Sequence, residues 1–282
     1  MNQKKPAETA LSIVELQQGL MTFNLLGTSP LFYHRFAVKA WHELLYPSGR
    51  KTAADKAGSM KHDPIEEYRQ SVYAHHDNDH PTRFYFPGAA FRRAMASAAL
   101  RIPGVTKTEI GQLTWLEEFK VDVYGLPSLS MMMVRMSDQT RTPDVRTRLV
   151  LDSWACRINV RYAKPLLNER TIGNLIAAAG QIMGIGDGRG EKGIFHFGAF
   201  DVVAENDPRW LLIVKKGGRA AQDSGLEAPE FFDPESEELF GWFYDEVQRR
   251  TQAVKIAKPK ITKPKAPRQR AKKENGKDVV HA

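Results

Sequence analysis

Six glycines fall within the fifteen residues GIGDGRGEKGIFHFG, at 184, 186, 188, 190, 193 and 198, with Arg189 and Lys192 among them. Glycine reaches backbone angles closed to other residues and lets a ligand or a second backbone come close, at a cost in conformational entropy. The chemistry this permits is anion recognition. The bare amides of Gly186, Gly188, Gly190 and Gly193, beside Arg189 and Lys192, suit phosphate oxygens or a neighbouring subunit at short range. Gly188 to Gly193 also spells GxGxxG, but the dinucleotide fingerprint needs a strand before it and a helix after it. Here the order is reversed. Asn168 is placed to cap a helix with Ile172, Leu175, Ile176, Ala179, Ile182 and Met183 on one face, and residues 195–203 read as a strand. No Gly-Lys-Ser/Thr occurs, so no nucleotide cofactor is expected.

The second chemical signal is arginine. From Thr82 to Thr108 there are Arg83, Arg92, Arg93, Arg101 and Lys107 with no Asp or Glu, and from Arg135 to Arg170 eight cations face four carboxylates. Arg35, Arg92, Arg93, Arg135, Arg141, Arg146 and Arg148 are candidate phosphate ligands, because a guanidinium grips a phosphate bidentately. Asp138, Asp144 and Asp152 offer Arg141, Arg146 and Arg148 surface ion pairs as the alternative, and Asp187 and Glu191 do the same for Arg189 and Lys192. Phe195, Phe197 and Phe200 alternate, so they are expected to share one sheet face, serving the core in preference to base stacking. His75-His-Asp-Asn-Asp-His80 gathers metal-ligating side chains, but in a polar stretch that reads as a solvated loop; no metal and no cofactor are expected. Cys156, the single cysteine, lies on an expected strand as a buried, inert thiol, and its solitude suits a reducing compartment.

These residues need elements to position them. The chain has 282 residues with 42% hydrophobic content, enough for a real core. No apolar run approaches the roughly 20 residues of a membrane helix, and the N-terminus leads into no signal-peptide hydrophobic region. Of 41 Lys and Arg and 33 Asp and Glu, ten and two lie in residues 255–282, so the rest carries 31 of each. The folded body is neutral, and the basic tail, rich in Lys and Pro, is expected to be mobile.

The pass along the chain gives an N-terminal extension over 1–19 and a core over 20–204, with insertions at about 36–82 and 101–153. An acidic, partly helical region follows over 205–254, then the tail over 255–282. Within the core, 20–26 is the first strand, 84–86 a short strand ending at Pro87-Gly88, and 89–100 a helix. Residues 101–130 read as short strands and turns, 131–136 as a strand, 137–152 as a charged excursion, and 154–162 as a strand. Without insertions the order is strand, helix, strand, strand, helix, strand. The expected fold class is α+β, a modified ferredoxin-like (RRM-like) βαββαβ domain.

Two motifs coincide with a known family. Phe84-Tyr-Phe-Pro87-Gly88-Ala-Ala-Phe-Arg92-Arg93-Ala94-Met95 resembles the strand-Pro-Gly-helix segment of the RAMP superfamily, the repeat-associated RNA-binding subunits of CRISPR effectors. Gly184 to Phe200 is similar to that superfamily's glycine-rich loop and final strand, and the resemblance spans roughly residues 20–203. It implies a backbone subunit, a single ferredoxin-like domain that polymerises along a guide RNA. It further implies that the Pro87-Gly88 helix start and its arginines follow the RNA backbone, while 137–152 forms a thumb-like hairpin over a neighbouring copy.

The expected function is therefore non-catalytic binding of single-stranded guide RNA in a cytoplasmic CRISPR-type ribonucleoprotein. Expected partners are further copies of the chain, other effector subunits and a complementary DNA or RNA target, with no membrane. Two alternatives stay open: an RNA endonuclease using His34 or a loop aspartate (Asp138 or Asp144), and a phage single-stranded DNA-binding or annealing protein.

Overall fold

Alternation of apolar and polar side chains builds the central pair of strands. β1 (Gln17–Gly27) turns Phe23 and Leu25 into the core and Thr22 and Asn24 to the other face. It pairs antiparallel with β6 (Pro143–Lys164), in the register Phe23↔Ile158 and Leu25↔Cys156. The computed structural model describes residues 15–36, 38–46, 60, 62–135, 142–191 and 195–256. On its other edge β1 pairs antiparallel with β7 (Phe200–Val203). β6 pairs antiparallel with β5 (Lys120–Arg135), and β5 in turn with β3 (Tyr85–Pro87). The strand order is β3-β5-β6-β1-β7; β2 (Leu31–Phe32) and β4 (Thr114–Leu116) extend along β6, and β8 (Glu230–Phe231) adds to β5 in parallel.

Helices cover the sheet. α1 (Val38–Leu45) and α2 (Pro64–Gln70) precede α3 (Gly88–Ala98), and α4 (Lys107–Leu113) follows it. α5 (Glu169–Ala178) begins where expected, with the Asn168 side chain accepting from the Thr171 amide at 2.9 Å. Phe91 and Met95 of α3 and Ile172 and Ile176 of α5 join Phe23, Leu25, Cys156 and Ile158 in one core. Each such burial contributes about 1.5–3 kcal/mol. The opposite face is covered in part by α6 (Pro208–Lys216), whose Trp210 packs on Leu26 and Ala155. α7 (Arg219–Glu227) sets the buried Gln222 against β5, its Nε2 donating to the Val123 carbonyl at 2.8 Å. α8 (Pro234–Ile256) follows α7 in the region expected to be partly helical over 205–254. By its contacts the chain divides into Met1–Phe240 and Gly241–Ala282. In the second unit Glu246 pairs with Arg249 and Arg250, each at 2.7 Å. Among the described residues no helix is long and apolar enough to cross a membrane.

Several expectations need correction. Residues 101–130 hold a helix and most of a long strand: Thr106 and Glu109 form a reciprocal cap for α4, a Thr-x-x-Glu signature that marks a helix start. The charged excursion is largely strand, since 143–152 belong to β6 and 143–151 pair with β5. Val145, Thr147, Leu149 and Leu151 turn to one face while Asp144, Arg146 and Arg148 take the other, the period of a strand. Between Gly125 and Pro127 the register slips, leaving Asp152 and Ser153 without partners on β5. This bulge switches the inward set from Leu149 and Leu151 to Trp154, Cys156, Ile158 and Val160.

The insertion at about 36–82 holds ordered, buried structure. Asp63 caps α2, and Tyr68, Val72 and His75 are buried. Phe195, Phe197 and Phe200 do not share a sheet face. The strand starts only at Phe200, which packs in the core against Trp154 and Phe91, at 6.1 and 6.2 Å between ring centroids. Phe195 instead stacks on Phe197 at 4.9 Å, and Phe197 on Phe32 at 4.3 Å. Cys156 is fully buried, and burial pushes its thiol far above the ordinary value.

Candidate nucleic-acid interface

Helical spacing decides what α3 presents. Ala90, Arg93, Ala94 and Ser97 recur at i, i+3, i+4 and i+7, one face of a helix. Ala90, Arg93 and Ala94 line a cleft of about 220 Å³ whose opposite wall is the start of the glycine loop, Gly184 to Asp187 with Arg189 and Glu191. The small side chains at 90 and 94 leave room, and Arg93 is exposed with no ion pair among the described residues. Arg92, about 100° further round the helix, leaves the cleft and donates to the Gly111 carbonyl of α4.

The helix start is used differently from the glycine loop. The Gly88 amide donates to the Phe119 carbonyl at 2.9 Å, and a Cβ there would lie 2.1 Å from the Glu118 carbonyl oxygen. Pro87 provides no side-chain cap. In the loop, the amides of Ile185, Asp187 and Gly198 donate to the carbonyls of Gly198, Phe32 and Pro30 at 3.0, 3.0 and 2.8 Å. The amides of Gly186, Gly188, Arg189 and Gly190 make no hydrogen bond among the described residues, and all four residues are half-buried. Gly186, at φ +84°, sits where a Cβ would lie 2.7 Å from the Phe32 carbonyl oxygen.

The acids in the loop are engaged by Arg189 and a hydroxyl at Glu191 and by Arg148 of β6 at Asp187. Glu191 accepts from Ser97 Oγ at 2.6 Å and from Arg189 Nε at 3.1 Å, while Arg189 Nη1 donates to the Gly186 carbonyl at 3.1 Å. Burial alone would raise the Glu191 carboxyl, but Ser97 and Arg189 outweigh it and hold it below the usual value. Asp187 pairs with Arg148 at 2.8 Å and stands 3.9 Å from His34 Nδ1. Burial, and then the charge of Arg148, lower His34 below its ordinary value. At neutral pH it is an uncharged imidazole at the cleft wall. Arg148 Nε is buried without a partner among the described residues.

The other candidates are spread more widely. Arg146 and Asp144 approach to 3.4 Å, and Asp144 also meets His62 at 3.0 Å. Arg135 is exposed at the end of β5, opposite Pro143. The Arg35 amide donates to the Ser71 carbonyl at 2.7 Å. Burial raises the Tyr73 phenol at the cleft wall above its ordinary value despite the charge of Arg35. Arg141, Lys192, Gly193 and Asp138 lie outside the described residues. Sequence reasoning did not single out Tyr73 or the Ser97–Glu191 bond. The helix-face spacing was the available signal for Ser97; nothing in the sequence brought Tyr73 to the cleft.

No family model matches the chain, and no curated protein matches it. Among solved structures, it is similar to a chain in the cryo-EM structure of the Type III-B Cmr-beta bound to cognate target RNA. The identity is 11%, over 66% of this chain and 59% of that one, with a TM-score of 0.31. The matched region spans less than two thirds of that protein's length. A likeness at this level carries no functional argument.

Proposed function

We propose that the chain is a non-catalytic subunit that binds single-stranded RNA through its backbone and assembles side by side along a guide, within a CRISPR-type ribonucleoprotein. The observation that carries this reading is the meeting of Arg93 and Arg189 with Gly186 on one cleft, where the Gly186 amide makes no hydrogen bond among the described residues. Two guanidinium groups beside an open loop amide suit phosphate oxygens. Such contacts fix register without reading bases, which fits a protein that serves many guides. The core is read as a modified ferredoxin-like domain. Its support is the chain order β1, α3, β5, β6, α5, β7 combined with the antiparallel sheet order β7-β1-β6-β5. Further copies of the chain, other effector subunits and a strand complementary to the guide are the proposed partners.

Filter binding to an unstructured RNA at rising salt tests the reading. Phosphate-driven binding weakens steeply between about 50 and 200 mM salt, with a log-log slope of about −0.7 per phosphate engaged on a single strand. A flat response contradicts it.

His34 supports a second reading, an RNA endonuclease. An uncharged imidazole beside Asp187 and Arg148 suits a general base that takes the proton of a ribose 2′-hydroxyl. Labelled RNA incubated with and without magnesium distinguishes the readings: cleavage lost in His34→Ala favours the enzyme, and intact RNA favours the binding subunit.

A further inference from the structure

We propose that His75, Asp77 and His80 form a site for one divalent transition-metal ion of the zinc class, outside the cleft. These three residues each place a ligand atom within 4.8 Å of the other two. The sequence alone reads as a solvated loop, but His75 is 0% exposed. Its amide is tied to the Arg83 carbonyl at 2.9 Å, just beyond the Ala74↔Phe84 bridge. Arg219 closes the loop from outside, donating to the carbonyls of His80 and Thr82 at 3.3 Å and to Asn78 Oδ1 at 2.9 Å. The ligands therefore sit on a loop held at several points.

The hydrogen bonds fix which nitrogens are available. His75 Nε2 lies 2.8 Å from Asp122 Oδ1. An ionised carboxylate only accepts, so Nε2 carries the hydrogen and Nδ1 keeps its lone pair. That Nδ1 is buried without a partner among the described residues, an acceptor in want of a cation or donor. His80 is set more loosely. Its Nδ1 stands 3.5 Å from the same Asp122 oxygen, and its Nε2 faces Asp77 Oδ1 at 3.7 Å. One carboxylate thus holds the far nitrogen of His75 by a hydrogen bond and faces that of His80, the outer-shell pattern of metal-ligating histidines.

Two imidazole nitrogens and one carboxylate oxygen select zinc, cobalt or nickel over calcium and magnesium, which prefer all-oxygen sites. Water completes the coordination on the exposed Asp77 side. The two rings are stacked at 3.6 Å, 13° from parallel. Imidazole lone pairs lie in the ring planes, so His80, the more exposed of the pair, must turn for both to meet one ion. Nearby Lys120 and Arg219 oppose a cation; Asp77 and Asp122 offset them.

The test is titration of tag-free, chelator-dialysed full-length protein with Co²⁺ and then Zn²⁺, read by cobalt visible absorbance and calorimetry. The expected result is one saturable equivalent, with zinc displacing cobalt. His80→Ala and Asp77→Asn should each abolish the cobalt spectrum and weaken zinc at least about tenfold, and Asp122→Asn should weaken it about 10–100-fold. His76→Ala should leave binding unchanged. Circular dichroism of the His80→Ala protein checks that its exposed side chain is dispensable for folding. Absent saturable binding, or binding undiminished in both His80→Ala and Asp77→Asn, overturns the proposal, as does loss of the site in His76→Ala.

Discussion

The Pro87-Gly88 helix start and the Gly184–Gly198 loop both carry glycine beside arginine, yet the molecule uses them in opposite ways. At Gly88 the missing side chain lets the 118–119 backbone press against the helix, and that contact consumes the amide. In the loop the backbone also packs tightly, against Phe32 and Gly198, but the amides of 186 and 188–190 remain unpaired among the described residues. Glycine whose amide is consumed by packing and glycine whose amide stays open look alike in a sequence. They separate only when each amide is followed to its partner.

The comparison is sharpened most by charge reversal at the cleft. A hydrogen bond to a charged group contributes about 1.5–3 kcal/mol, about ten- to a hundredfold in affinity. The double variant Arg93→Glu/Arg189→Glu should therefore lose at least about a hundredfold in RNA affinity, measured by fluorescence anisotropy. Undiminished binding would place the strand elsewhere. Next come the glycines. Gly88→Ala forces a Cβ onto a backbone oxygen and should cost about 1–3 kcal/mol of stability in urea unfolding, with RNA affinity of the folded protein unchanged. Gly186→Ala, at a left-handed φ, should cost about 1–2 kcal/mol and weaken RNA binding as well. Equal behaviour of the two variants would erase the distinction.

A smaller effect is expected from His34. Its pKa is lowered in the free protein, and a phosphate in the cleft raises it. The complex then binds more protons than the free chain, so affinity should grow as pH falls from about 8 to about 6. The gain is lost as pH rises through the bound-state pKa. Its full size is about tenfold in affinity for each pH unit separating the free and bound values. His34→Gln should flatten the profile. The smallest effect belongs to Arg92→Ala, which should stay within about twofold, because its side chain is directed to Gly111.

Much of the scaffold was legible where one period dominates. The alternation of β1, the second half of β6, the Asn168 cap and the apolar face of α5 through Ile172, Leu175 and Ile176 lie where their residues indicated, but past Ala178 the chain winds as a π-helix over Ala179–Met183 and Ile182 turns out to solvent. The missed parts have physical causes. Asp144, Arg146 and Arg148 drew attention as charges and hid the apolar alternation of Val145, Leu149 and Leu151 between them. Gly125 and Pro127 broke the pattern of β5 at a bulge, so one strand read as several. In the cleft, arginines 92 and 93 were equal as cations, and only the turn of the helix separates them. His75 was misread as solvated because its partner, Asp122, lies 47 residues away on another strand.

The central claim is tested most directly by photo-crosslinking 4-thiouridine-substituted RNA to the protein and sequencing the adducted peptides. The account predicts adducts within residues 88–98 and 184–198, both lost in Arg93→Glu/Arg189→Glu. Adducts confined to the other sheet face, around Thr22, Asn159 and Arg161, and unaffected by the double variant, would contradict it.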